Sequence, residues 1–205
     1  MNLLTLLFFS SFCLAGVDHY KNFAELSSSE KENIDYQIVV NNRHSQKSIF
    51  AIHGGKIEWG TSELTKAIAQ NKNNTYLFEG LKDGDNFGLH LTSSNFDEPR
   101  AVELALGSVD CLSIHGFIGS GVAVACVGGG NEEKAEAIAK ALAKSGLPFT
   151  VEYPCKAYPG RHSLNIINRC QNKGVQVELS QKLRDDILND PAYLDSLAQA
   201  LRDSF

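Results

Sequence analysis

Residues 48–70 read "SIFAIHGGKIEWGTSELTKAIAQ", and the stretch divides into three pieces. Ser48 to Ile52 is a short run dense in β-branched, aromatic and apolar residues that stops at His53, the signature of a strand. From Thr61 onward, Leu64, Ala67 and Ile68 recur at helical spacing, with Thr61 or Ser62 expected as the N-cap. Between strand and helix lie Gly54 and Gly55, flanked by His53 and Glu58. A strand that turns over two glycines directly into a helix is the repeating unit of an α/β fold.

The same alternation extends outward in both directions. Strand-like runs fall at 36–40, 74–80, 111–117, 122–129, 149–153 and 174–179. Helical runs follow Pro99, Asn131 and Ser180, and the last opens at Pro191. The "NEEKAEAIAKALAKSG" segment carries an N-capping Asn131, acidic residues in its first turn and a terminating Gly146. Strands alternating with helices predict one α/β domain with a central mixed sheet flanked by helices. The length of 205 residues with 43% hydrophobic content suits one domain with a sizeable core.

A net charge of -5 and no basic stripe exclude a general nucleic-acid binder. The opening "MNLLTLLFFSSFCLAGV" is apolar and too short to span a bilayer, which needs ~20 residues. It reads as the apolar region of a secretory signal cleaved near Ala15 or Gly16, with residues 1–15 removed and 16–205 forming the domain. The chain is then expected to be secreted or periplasmic, with no stable membrane span; the alternative is a cytoplasmic protein. Four cysteines remain after cleavage: Cys111, Cys126, Cys155 and Cys170. They allow two disulfides in three pairings. Cys111–Cys126 with Cys155–Cys170 would close short loops, and buried free thiols are the competing reading.

In α/β sheets chemistry collects where strands end. His53, His115 and Glu178 all stand at or near the ends of strand-like runs, and they converge if those strands are neighbours. Catalytic zinc takes three protein ligands at ~2.0–2.2 Å, and two histidines with a glutamate are one such set. His53, Glu58 and His115 supply it, because Gly54 and Gly55 permit the chain to fold back and bring His53 to Glu58. Each residue alone has a plainer explanation: a hydrogen-bonded structural histidine, or a glutamate on a solvated loop. Glu178 is the candidate general base, in "GVQVELS", where it shares a face with Gln176 and Ser180; the plainer reading is the polar face of an edge strand. Arg169 and Arg184 are candidates to grip an anionic substrate, with Asn168 beside Arg169, and His90 lies in a polar segment that reads as site-lining loop. No phosphate-binding glycine motif, C-x-x-C or G-x-S-x-G elbow is present.

The order of "HGGKIEWGTSEL", "LHLTSSNFDEP", "SIHGF", "VGGGN" and "NIINRCQNKGVQVELS" along the chain resembles the poly-γ-glutamate hydrolase family, the phage-type zinc peptidases also labelled phage-related replication proteins. The resemblance spans roughly residues 20 to 205. It implies a zinc-carboxypeptidase-like fold and hydrolysis of γ-glutamyl amide bonds. It also implies one zinc per chain on His53, Glu58 and His115, with Glu178 as base and Arg169 placed to hold a substrate carboxylate. Two other activities fit the same residues: zinc amidohydrolysis of other N-acyl or γ-linked peptides, and non-catalytic binding of a polyanion.

Overall fold

A computed structural model of the chain describes residues 18–205. The leader expected over residues 1–15 lies outside the described residues. Seven strands form one sheet: β1 (Tyr36–Asn41), β2 (Lys47–Gly55), β3 (Asn74–Gly80), β4 (Asp110–Phe117), β5 (Val124–Gly129), β6 (Thr150–Glu152) and β7 (Gly174–Ser180). Their order across the sheet is β1-β3-β2-β4-β7-β5-β6. The four inner strands β3, β2, β4 and β7 run parallel, β1 is antiparallel at one side, and β5 with β6 is reversed at the other. The mixed sheet expected from the sequence is therefore present, and each strand-like run became a strand.

Six helices cover the two faces: α1 (Phe23–Ser29), α2 (Thr61–Ala69), α3 (Pro99–Leu106), α4 (Glu132–Lys144), α5 (Gln181–Asn189) and α6 (Pro191–Ser204). Side chains alternate along each strand, so one strand feeds two cores. Leu112 and Ile114 of β4 join Val175, Val177 and Leu179 of β7 under α2, α4, α5 and α6. Phe50, Tyr76 and Phe78 face the other way, under α1, α3 and a short 3-10 turn at Ile166–Arg169. Burying each of these large apolar side chains contributes roughly 1.5–3 kcal/mol.

Three local expectations are corrected. Helix α1 was not expected; its signal is Asn22, whose side chain accepts from the Glu25 amide, while the Glu25 carboxylate accepts from the Lys21 amide. The N-cap of α2 is Gly60 at φ 89°, not Thr61 or Ser62. Those two hydroxyls tie the preceding turn instead: Thr61 donates to the Glu58 carbonyl at 2.8 Å and Ser62 accepts from the Gly55 amide at 3.2 Å. The disulfides pair Cys111 with Cys170 and Cys126 with Cys155, not in the short loops. Strand order explains this, because β7 lies between β4 and β5. Cys111 stands opposite Gly174 and Cys126 opposite Glu178, so two spacings across the sheet and an offset along it put them roughly 16 Å apart, beyond disulfide reach.

Candidate active site

The sheet places β2, β4 and β7 side by side and parallel, so their carboxyl ends meet. His53 lies near the carboxyl end of β2, in its buried part. His115 and Glu178 are directly paired across β4 and β7. On β7 the apolar residues point into one core, which turns Gln176, Glu178 and Ser180 to the opposite face, the same face that Ser113 and His115 present on β4. These positions are all buried, Glu178 to 6% exposure and His115 to 2%. β7 is an inner strand, so its polar face is not the solvated side of an edge. A buried polar face on a central strand is costly unless partnered, and here it lines a cavity of about 360 Å³.

The glycine turn does what its spacing suggested. Gly55 sits at φ 62°, and a side chain on Gly54 would collide with the Ser62 hydroxyl. The Glu58 amide donates to the His53 carbonyl at 2.9 Å and closes the turn. Glu58 Oε1 then lies 3.1 Å from His53 Nδ1, and its Oε2 accepts from the Gly116 amide at 2.7 Å. His115 Nδ1 completes a triangle, 3.2 Å from His53 Nδ1 and 3.9 Å from Glu58 Oε2. His90 closes a second triangle on the same His53–Glu58 edge, all ligand atoms within 4.8 Å. Its Nε2 is 4.0 Å from Glu58 Oε1, and its ring stacks on His53 with centroids 4.0 Å apart.

Outer partners fix the protons. The Leu91 carbonyl only accepts, so His53 Nε2, 2.8 Å away, carries a hydrogen, and Nδ1 faces Glu58, whose charge favours a proton there against the opposing effect of burial. Ser113 Oγ stands 2.8 Å from His115 Nε2, and its hydroxyl can accept from that nitrogen and leave Nδ1 toward His53 and Glu58. His90 donates from Nδ1 to Asp18 at 3.1 Å, and Asp18 also accepts from the Thr92 amide and the Asn95 side chain. Burial opposes charge on Asp18, but these donors outweigh it and bring its pKa down to about 2. Burial likewise opposes ionisation of Glu58, yet His53 beside it brings the carboxyl to about 2. Burial, reinforced by His53, drops His115 to about 3. Glu178 moves the other way: burial, with the charge of Glu58 added, raises it well above an ordinary carboxyl, and Arg184 only partly offsets this. The Gln176 amide donates to Glu178 Oε1 at 2.8 Å and is itself held through Oε1 by Asn165 at 2.9 Å.

Several expected substrate contacts are not at the cavity. Arg169 lies in the 3-10 turn, where it reaches the Leu164 carbonyl at 3.5 Å. Arg184 is buried, and its guanidinium donates to the carbonyls of Leu179, Trp59 and Phe117, so it ties the ends of three site segments together. Asn168 donates to the carbonyls of Gly160 and His162 and shapes a loop. His90 does line the cavity, as expected. Sequence reasoning missed Arg161 and His162, which line it as well; their signal was "YPGRH", a proline and glycine turn carrying two basic residues.

The chain is similar to several known proteins. The UPF0714 protein YmaC of Bacillus subtilis (strain 168) is 35% identical over 178 residues, covering 86% of this chain and 74% of YmaC. YndL of the same organism is 34% identical, covering 83% of this chain and 67% of its own. The solved structure of a bacteriophage poly-gamma-glutamate hydrolase superposes with a TM-score of 0.86 at 30% identity, covering 92% of this chain and 96% of that one. The zinc-free apo structure of YndL superposes at 0.82 with 31% identity, covering 92% and 100%. The family model for poly-gamma-glutamate hydrolase matches residues 20–201, and the chain belongs to that family of hydrolases.

Proposed function

We propose that this chain is a zinc-dependent hydrolase of γ-glutamyl amide bonds, with one zinc held by His53, Glu58 and His115 and with Glu178 as the general base. The triangle of His53 Nδ1, Glu58 and His115 Nδ1 carries the reading. Its edges of 3.1, 3.2 and 3.9 Å bracket the ~3.4 Å that tetrahedral ligands at zinc distances require. Two imidazole nitrogens and a carboxylate converging in a buried site are a donor set that suits zinc, which would take the place of the proton that Glu58 favours on His53. The 3.2 Å approach of His115 Nδ1 to His53 Nδ1 favours His115 as the third ligand, and His90, 4.0 Å from Glu58 in a second cluster with His53, is the competing one.

Zinc bound there supplies a Lewis acid that polarises an amide carbonyl and acidifies water. The chain provides the rest. Glu178 takes a proton from the attacking water and returns it to the leaving nitrogen. Its raised pKa makes it a stronger base than an exposed carboxylate. Gln176 fixes one of its oxygens, so the other is oriented for transfer. The 90–94 segment and the 158–162 loop form walls of the cavity beside these groups.

Export to an oxidising compartment belongs to the same proposal. The two disulfides support it, because such bonds persist outside reducing cytosol, and the apolar leader supports it from the sequence side. Among the described residues no helix is long and apolar enough to cross a membrane. The test is to follow poly-γ-glutamate chain length and zinc content together, in the wild type and in Glu178→Gln. Cleavage by the wild type, with zinc retained and cleavage lost in the variant, supports the reading. A zinc-loaded wild type that leaves the polymer intact rejects the substrate.

A further inference from the structure

The residues assigned so far explain how an amide is broken but not how an anionic chain is held. Glu58 and Glu178 both line the cavity, and the chain carries a net charge of -5. A zinc held there would be engaged by its ligands and the scissile carbonyl, so a substrate's free carboxylate calls for a separate fixed cation. Among the lining residues no lysine appears and Arg161 is the only arginine. The buried Arg184 does not line the cavity, and three of its five donors are held by carbonyls. We propose that Arg161 is the specificity-determining residue that binds the free α-carboxylate beside the scissile γ-amide, an inference that rests on the hydrolase reading above.

The loop that carries Arg161 is built to hold it in place. Four of its carbonyls are tied down individually. Gln176 donates to the Tyr158 carbonyl at 3.2 Å, and the Gly129 amide to the Pro159 carbonyl at 2.9 Å. Asn168 donates to Gly160 at 2.8 Å and to His162 at 2.9 Å. Gly160 sits at φ 64°, and a side chain there would strike Gln176 at 2.5 Å, so glycine lets the loop lie close on β7. The Cys126–Cys155 disulfide anchors the loop's entrance to β5. Gln176 thus touches both the base Glu178 and the backbone that presents Arg161, so recognition and proton transfer share one support.

The guanidinium itself is available. Its ion pair is with Glu132 on α4, at 3.2 Å, and both side chains are more than half exposed. An exposed pair of this kind is weak, and a carboxylate in the cavity can replace Glu132 as the partner of a bidentate fork. Glu132 then competes with substrate, so removing its charge tightens binding while removing Arg161 weakens it.

The experiment measures binding of short γ-linked glutamate oligomers, and of the same oligomers with α-carboxylates converted to amides, to zinc-loaded Glu178→Gln protein. Adding Arg161→Ala is expected to weaken binding of the carboxylate form about tenfold and to leave the amidated form unchanged. Arg161→Lys should fall between, and Glu132→Gln should tighten the carboxylate form about twofold. Equal weakening of both forms by Arg161→Ala, or no weakening, overturns the assignment. Hydrolysis of the carboxylate oligomers by wild type is read separately. Arg161-dependent binding without cleavage sustains the recognition site and rejects the hydrolase reading, whereas cleavage without Arg161 dependence does the reverse.

Discussion

Two regions of the molecule face each other across one cavity and are built by different means. The strand ends of β2, β4 and β7 carry His53, His115 and Glu178, positioned by the regular ladder of a parallel sheet. The 158–162 loop carries Arg161, positioned by side chains reaching single carbonyls and by a disulfide at its base. Strand ends fix atoms to within tenths of an ångström because many backbone bonds share the load, which suits bond-breaking chemistry. A pinned loop can change its presented side chain without disturbing the sheet, which suits recognition. The difference predicts that damage to the first region abolishes metal or turnover, while damage to the second changes affinity.

The strongest disruption is His53→Ala. Losing one nitrogen of the metal triangle should remove zinc and reduce hydrolysis about a thousandfold or more; a variant that keeps its zinc would remove His53 from the ligand set. Glu178→Gln comes next, with turnover down ~10²–10⁴-fold and zinc content unchanged. Retained activity there would shift the base elsewhere and dissolve the role assigned to the polar face of β7.

Arg184→Met tests the strand-end region through its support. Three carbonyls lose a donor, and the cost is about 3 kcal/mol, read as a drop in melting temperature of roughly 6–12 °C for a domain of this size. Opening the second region with Cys126→Ser and Cys155→Ser should cost about 2 kcal/mol. Zinc content should hold while KM rises, and loss of zinc in that double variant would show that the two regions are not separable. The smallest effect is expected at Asp18→Asn. The Asp18 pKa is depressed to about 2 in the folded chain, so its stabilising contribution is complete above its unfolded value near 3.8 and disappears as pH falls through about 2. The wild type should exceed the variant by on the order of 1 kcal/mol at neutral pH, converging near pH 2. A gap that persists at pH 2 would assign the effect to packing.

Much of the metal side was legible before any coordinates. His53 and Glu58 sit in one local turn, so two glycines sufficed to predict their meeting. His115 and Glu178 were placed by a rule about strand ends, which needed only that the strands be neighbours. The recognition side was harder to place, for an equally physical reason. Arg169 and Arg184 stand close in sequence to β7, but proximity along the chain says nothing of which way a side chain turns. Arg184 falls on the buried side of α5 and Arg169 in a turn beneath the sheet.

The sequence alone determined the α/β class, the seven strands, the turn that joins His53 to Glu58 and the family, because each depends on local periodicity, glycine positions or the order of short motifs. Only the tertiary structure decided the disulfide pairing, the burial of β7 between two strands and the presence of Arg161 in the cavity wall. Those depend on strand order and loop path, which arise from contacts between residues far apart in the chain and leave no periodic trace in it.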